Sequence, residues 1–173
     1  MALYYYLISS LPDLRTDAQM PITYDEWLQS CQSNVSEEKF EFLQNLTLDS
    51  SEGPLIREWA FVYGNLMREL SYQRSMRMGK SYGVSYDKDS EYTMVASAAL
   101  AAKNPLEAEK ILLDYEFDVL DSLVGLHTFD DIYLFGYAVK LRLLERQSCF
   151  VPKKGQEEFK RLFDGVQQQV YSL

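Results

Sequence analysis

A chain of 173 residues with 47% hydrophobic side chains is long enough to bury a core and too apolar to be disordered. Its formal net charge of -9 argues against nonspecific nucleic-acid binding and against charge-driven docking on anionic lipid, because both require a basic surface. The two cysteines, Cys31 and Cys149, lack the spacing of a metal site. They are interpreted as thiols of a reducing compartment, with one disulfide as the alternative.

The sequence predicts neither a membrane span nor a secretory signal. No apolar run approaches the ~20 residues that a membrane-spanning helix requires. The N-terminus carries no basic residue ahead of its short apolar run, which makes it a poor signal peptide. We therefore expect a cytoplasmic location, with a peripheral position at the inner membrane as a further option.

The first part of the chain predicts short helices. Residues 2–10 are apolar on every side and predict a short buried helix that ends before Pro12. Thr23 and Glu26 form a capping box for a helix that extends to about Cys31.

Two further helices follow in the first half. Ser36 caps one that has acidic residues in its first turn and apolar residues at helical spacing behind them. Pro54 opens the longest helix, because a missing N–H is tolerated at the first helical position. Its apolar stripe extends from Trp59 to Leu70, and the periodicity fades before Gly79.

The second half continues the helical pattern. Asp89 or Ser90 caps a helix that contains a run of small residues. Asn104 and Pro105 are the cap and first residue of an acidic helix, which Gly125 ends.

The stretch from Thr128 to Arg146 predicts the helix around which the others pack. It is apolar on two faces, so other helices must enclose it. Thr128 is the predicted cap, with Asp130 and Asp131 in the first turn, where the helix dipole favours negative charge. Gly136 lowers helix propensity, and we expect it to allow close approach of a neighbouring helix.

A last helix is predicted at 156–170, and no stretch predicts a convincing strand. The fold class is therefore all-α: a compact multi-helix bundle of about seven helices. We expect one domain over residues 1–173. Two lobes, 1–79 and 90–173, on either side of a loop at 80–89 are the alternative.

Few residues are candidates for catalysis. His127 is the single histidine and has no cysteine near it in sequence, so it is interpreted as a loop residue that contacts a helix end. The acidic helix could hold a metal ion, but a solvated face is the preferred interpretation. Its acidic residues are Glu107, Glu109, Asp114, Glu116 and Asp118. We predict no catalytic, cofactor-binding or metal-binding residue.

One basic cluster stands out in this acidic chain. Its members are interleaved with tyrosine and methionine, a composition typical of protein interfaces. The alternative is a set of cations favoured at a helix C-terminus. The predicted partner-binding residues are Arg68, Tyr72, Arg74, Arg77 and Lys80.

Several motifs resemble those of a known family. The opening residues, Tyr4 to Pro12, resemble the start of a bacterial family of uncharacterised proteins encoded in V/A-type ATPase operons and similar to the C subunit of that ATPase (the d subunit in eukaryotes). Further resemblance follows, in the family's order, at 112–120, 129–135, 140–146 and 154–163. Together these segments lie toward both ends of the chain.

The resemblance implies an all-helical, noncatalytic protein in a shortened form, because the C subunit has three similar lobes. The C subunit sits on the membrane rotor ring and receives the central stalk, coupling ATP hydrolysis to ion or proton movement. The implied partners are the rotor-ring and central-stalk subunits, with membrane contact through proteins only. Two rivals remain: a soluble helical adaptor or chaperone with unrelated partners, and an enzyme that uses His127 or the acidic helix.

Overall fold

The structure is a computed structural model that describes residues 4–83, 89–150, 157 and 160–164. Within those ranges the chain forms helices and no strand, which confirms the predicted fold class. The helices are α1 (Tyr5–Ser9), α2 (Tyr24–Cys31), α3 (Glu37–Asn45), α4 (Ile56–Arg77), α5 (Ser90–Ala101), α6 (Pro105–Val124) and α7 (Asp131–Ser148). Residues 157 and 160–164 are also helical, and the rest of the helix predicted at 156–170 lies outside the described residues.

Side chains set several helix starts at the predicted positions. The Glu26 backbone N–H donates to the Thr23 hydroxyl, and the Thr23 N–H donates to the Glu26 carboxylate at 2.9 Å, which completes the capping box. The Asn104 side chain accepts from the Glu107 N–H at 2.9 Å. Asp89 caps α5 in the same way. Local sequence therefore determines where these helices begin.

The predicted start of α4 at Pro54 is wrong by two residues. The backbone turns sharply at Leu55, whose φ of 62° is in the left-handed region, and the Ile56 N–H donates to the Pro54 carbonyl at 2.7 Å. This conformation is strained for a residue with a branched side chain. The Leu55 side chain is buried, so its packing in the core offsets the strain.

The prediction that other helices enclose α7 is confirmed. Residues 134–139 are all buried. Gly136 lies against the end of α6, because a Cβ atom built on it would be 2.5 Å from Cγ2 of Val124. The N-cap is Asp130 rather than Thr128, which corrects the predicted start of this helix.

The expectation that α1 is buried on every side is wrong. Leu7 and Ile8 are buried, whereas Tyr5 and Tyr6 are 52% and 94% exposed. A helix of five residues makes little more than one turn, and here only one side of it faces the core.

Side-chain contacts fix the relative directions of the longer helices. The Gln73 amide donates to the Thr93 carbonyl, and one turn later Arg77 donates to the Leu100 carbonyl. Because later residues of α4 contact later residues of α5, these two helices run in the same direction. Helix α6 runs opposite to α7, with the end of α6 beside the start of α7.

Among the residues that the structure describes, the buried apolar side chains form two clusters. The larger contains Trp27 and Trp59 and draws residues from α1 to α4, α6 and α7, on both sides of the 80–89 loop. The smaller joins the second half of α4 to α5 and α6 through residues such as Leu66, Ala96 and Leu112. Among the described helices, none is long and apolar enough to cross a membrane.

Both cysteines are free thiols, so the disulfide alternative is not formed. Cys31 is buried in α2 and Cys149 is exposed after α7. Burial raises the pKa of the Cys31 thiol to about 12. The Cys31 thiol is therefore protonated at neutral pH and packs as a small apolar side chain.

Candidate interaction surface

The five residues predicted to bind a partner lie in the second half of α4 and in the turn after it. Arg68, Arg74, Arg77 and Lys80 are exposed, and Tyr72 is half-buried. Because an α-helix turns about 100° per residue, Arg68 and Tyr72 share one side of α4, whereas Arg77 is about 180° away from Arg68. The structure therefore does not gather the five residues on one face.

Arg77 has a partner within the fold. Its Nη1 donates to the Leu100 carbonyl at 2.5 Å, in the last turn of α5, where carbonyls lack partners within the helix. Tyr72 packs edge-on against Tyr82. The alternative interpretation, a cation at a helix C-terminus, describes Arg77 well, although the helix it caps is α5 and not its own.

Exposed methionines lie at the end of α4 and on α5. Met76 and Met78 at the end of α4 are 55% and 62% exposed, and Met94 on α5 is 73% exposed. Methionine is flexible and polarisable, and it is common on surfaces that adapt to a partner. Met76 and Met78 therefore add to the apolar component of the predicted surface.

A second exposed surface, the aromatic corner, is formed by α1 and the connection between α6 and α7. Tyr6 and Leu126 are 94% and 99% exposed. The ring of Tyr5 packs on Phe129 with centroids 4.9 Å apart, and the Tyr4 N–H donates to the Phe129 carbonyl at 2.7 Å. Sequence reasoning missed this surface because residues 2–10 were expected to be buried.

His127 contacts a helix end, as the sequence predicts. Its Nδ1 pairs with Oδ2 of Asp130, whose Oδ1 accepts from the Tyr133 N–H at 3.2 Å and so caps α7. Burial acts to raise the pKa of the Asp130 carboxyl, but the hydrogen bonds from His127 and the Tyr133 N–H outweigh it and lower that pKa. The ordered imidazole therefore supports the cap.

Replacing Asp130 with Ala should lower the free energy of unfolding by about 0.5–2 kcal/mol at pH 7, because it removes the cap of α7. The folded-state pKa of Asp130 is lowered, so its contribution is present above the unfolded pKa of about 3.9 and is lost as pH falls through the folded value. Urea denaturation at pH 7 and at acid pH measures both effects. His127→Ala is the control: a loss as large as that of Asp130→Ala would contradict the assignment.

The interpretation of the acidic helix as a solvated face is wrong for two of its residues. Glu109 and Glu116 of α6 are 7% and 1% exposed, and both accept hydrogen bonds from Arg146 of α7. Nε of Arg146 donates to Glu109 at 2.6 Å, while its two terminal nitrogens donate to the Glu116 carboxylate at 3.0 and 2.5 Å. Burial raises the pKa of Glu116 and outweighs the lowering by Arg146. This cluster joins the two helices.

The neighbouring carboxylates Asp130 and Asp131 have separate partners. Asp131 accepts from the Tyr4 hydroxyl at 2.7 Å and from the Lys39 ammonium at 2.6 Å, whereas Asp130 caps α7. These two adjacent side chains therefore do not act as a carboxylate pair. The three-way contact joins the N-terminal segment, α3 and α7.

One open depression lies between the loop before α2 and α6. It is lined by Arg15, Thr16, Asp17, Lys110, Asp114, Phe117, Asp118 and Asp121. Two of its acids are already paired, Asp17 with Arg15 and Asp121 with Lys140. In the described part of the chain, no group of three or more His, Cys, Asp or Glu side chains is placed to hold a metal ion.

Comparisons of the chain with protein-family models, with curated protein sequences and with solved structures find no match. A functional proposal therefore depends on the residues and contacts described above, together with the resemblance of the motifs.

Proposed function

We propose that this chain is a noncatalytic component of a V/A-type rotary ATPase, similar to its C subunit, which couples or assembles the central stalk and the membrane rotor ring. It acts on the cytoplasmic side of the membrane and binds there through protein partners. Its role is mechanical, because a rigid helical body transmits torque between the subunits that it contacts.

One set of contacts supports this proposal most strongly. The segments at 4–12 and 129–135, which both resemble the family, lie more than a hundred positions apart and yet pack together. The Tyr4 hydroxyl donates to Asp131 at 2.7 Å, and the Tyr4 backbone N–H donates to the Phe129 carbonyl at 2.7 Å. The resembling segments are thus parts of one structural unit, which favours a shared fold over a chance match of apolar runs.

The packing of α6 against α7 suits a subunit that transmits force. Helices α6 and α7 are tied by the buried cluster of Arg146 with Glu109 and Glu116. A tight contact between Gly136 and Val124 joins the same two helices at their other end. Two fixed points along a helix pair resist both sliding and rotation of one helix against the other.

Affinity purification of the tagged chain from gently solubilised membranes of its own host tests the proposal. We expect mass spectrometry to identify rotor-ring and central-stalk subunits among the recovered proteins. An untagged strain, treated identically, controls for carry-over of abundant membrane proteins. Recovery of no ATPase subunit would count decisively against the rotary role.

The second candidate is a helical adaptor or chaperone with unrelated partners. The aromatic corner favours it, because exposed aromatic and apolar side chains grouped on a surface are typical of a docking site. Recovery of soluble partners only, lost on replacing Tyr6 and Leu126 with Ser, would favour the adaptor.

A further inference from the structure

The outer side of α4 carries a stripe of three exposed side chains and one half-buried glycine, which the predicted basic cluster includes only in part. Arg57, Phe61, Gly64 and Arg68 are spaced i, i+4, i+7 and i+11, so their Cα–Cβ directions fall within about 60° of one another around the helix. Both arginines are exposed, and Phe61 is 66% exposed. We call these four residues the α4 stripe.

The α4 stripe is cationic in an acidic protein. The two acids of the helix lie elsewhere: Glu69 is buried, and Glu58 is turned about 100° away from Arg57. Within residues 4–83 and 89–150, no carboxylate lies at ion-pair distance from Arg57 or Arg68. The chain has 26 acidic and 17 basic residues, so an unpaired basic stripe is unusual on its surface.

Gly64 gives the α4 stripe a shallow centre. The Arg68 side chain folds back along the helix, with Nε donating to the Gly64 carbonyl at 3.3 Å. A Cβ atom built on Gly64 would have one neighbour within 4 Å, the Arg68 guanidinium at 3.8 Å. Because Gly64 has no side chain, another helix that approaches here has only the flexible Arg68 side chain to displace before it reaches the backbone.

We infer that the α4 stripe docks an acidic amphipathic helix of a partner subunit. Phe61 supplies the apolar anchor, and Arg57 and Arg68 bind carboxylates on either side of it, since aromatic and arginine side chains dominate binding energies at interfaces. The inference rests on the proposed function for the identity of the partner. It moves the binding surface along α4, away from Arg77, which already caps α5.

Two other occupants fit less well. A second copy of this chain is acidic, but a contact between two different faces of one chain is heterologous and forms an open-ended assembly unless its rotation closes a ring. An anionic lipid surface would attract the stripe but repel the rest of a chain with net charge -9.

Photo-crosslinking in the native host tests the inference. The probe is p-benzoylphenylalanine in place of Phe61, which is exposed and so tolerates the larger ring. We expect crosslinks to an acidic helical segment of an ATPase subunit. Combined Arg57→Glu and Arg68→Glu changes should reduce them by at least about tenfold, because each reversal replaces an attraction with a repulsion. Lys103→Glu, an exposed charge reversal outside α4, should leave them unchanged.

The outcomes separate this inference from the proposed function. If ATPase subunits are recovered but position 61 gives no crosslink, or gives one that the charge reversals leave unchanged, the α4 stripe is not the docking surface and the rotary role stands. If the crosslink goes to an acidic helix of a protein outside the ATPase, the docking surface stands and the rotary role fails. Crosslinks to a second copy of the chain, or binding to anionic vesicles that the reversals abolish, would overturn the inference. Circular-dichroism melting of each variant checks that it is folded.

Discussion

Replacing Arg146 with Met is expected to destabilise the protein by about 3–5 kcal/mol at neutral pH, because it leaves buried carboxylates without their counter-ion. Arg146 is the guanidinium partner of both Glu109 and Glu116, which are 7% and 1% exposed. Methionine keeps much of the apolar stem of the arginine side chain. The lost stability therefore comes from the missing charge more than from missing packing.

The destabilisation of the Arg146→Met variant should depend on pH. Burial already raises the pKa of Glu116 in the native chain, and removing Arg146 removes the interaction that lowers it. A carboxyl group whose folded pKa exceeds its unfolded value binds more protons in the folded state, so stability falls as pH rises through that interval. The variant should therefore recover part of its lost stability between pH 7 and about pH 5.

Urea denaturation at the two pH values, with wild type alongside, measures this recovery. The triple variant with Glu109→Gln, Glu116→Gln and Arg146→Met is the matched control, because it removes all three charges at little change in volume. We expect it to be more stable than Arg146→Met at pH 7 and to lack its pH dependence. Equal losses at both pH values, or a triple variant as unstable as the single one, would show that the cluster acts by packing alone.

Signals within a single turn of helix predicted the fold most reliably. Two helix starts were predicted correctly from their caps, because a cap and its N–H partner are only three residues apart in the chain. These pairs are Thr23 with Glu26 and Asn104 with Glu107. The start at Pro54 was misplaced because the left-handed turn at Leu55 depends on core packing, which no local pattern encodes.

The buried ion cluster was beyond prediction from the chain alone. Glu109 and Glu116 are seven residues apart, which places them on one face of α6, but an acidic helix with that spacing is more often solvated. Whether these two carboxylates are buried or solvated depends on the position of Arg146, which lies 30 residues after Glu116 in the chain. That position follows from the hairpin of α6 and α7, which sequence patterns do not specify.

The α4 stripe, by contrast, could have been found in the sequence. Arg57, Phe61 and Arg68 follow the helical period. Arg74 and Arg77 are close to Arg68 in the chain but lie on other sides of the helix. The predicted cluster grouped cations by their closeness in sequence. Grouping them by the helical period would have selected the exposed outer side of α4.

Replacing Gly136 with Leu is the second change expected to have a large effect, a loss of about 3 kcal/mol through overpacking of the contact between α6 and α7. A Cβ atom at Gly136 would lie 2.5 Å from Cγ2 of Val124 and 4.0 Å from Cδ1 of Leu55. Val124 is β-branched and cannot swing aside, and Leu55 is held in a strained turn, so the helices themselves must separate.

Gly64 provides a matched control for Gly136, because it also lies inside a long helix but a Cβ atom built on it would have only the Arg68 guanidinium within 4 Å. Gly64→Leu should therefore stabilise the protein by about 0.5–1 kcal/mol, the gain in helix propensity alone. Thermal and urea denaturation of both variants separate the stability lost through overpacking at position 136 from the stability gained through helix propensity at position 64. If Gly136→Leu unfolds with the same midpoint as wild type, α6 and α7 are not in close contact at this point, and the rigid helix pair that torque transmission requires loses one of its two fixed points.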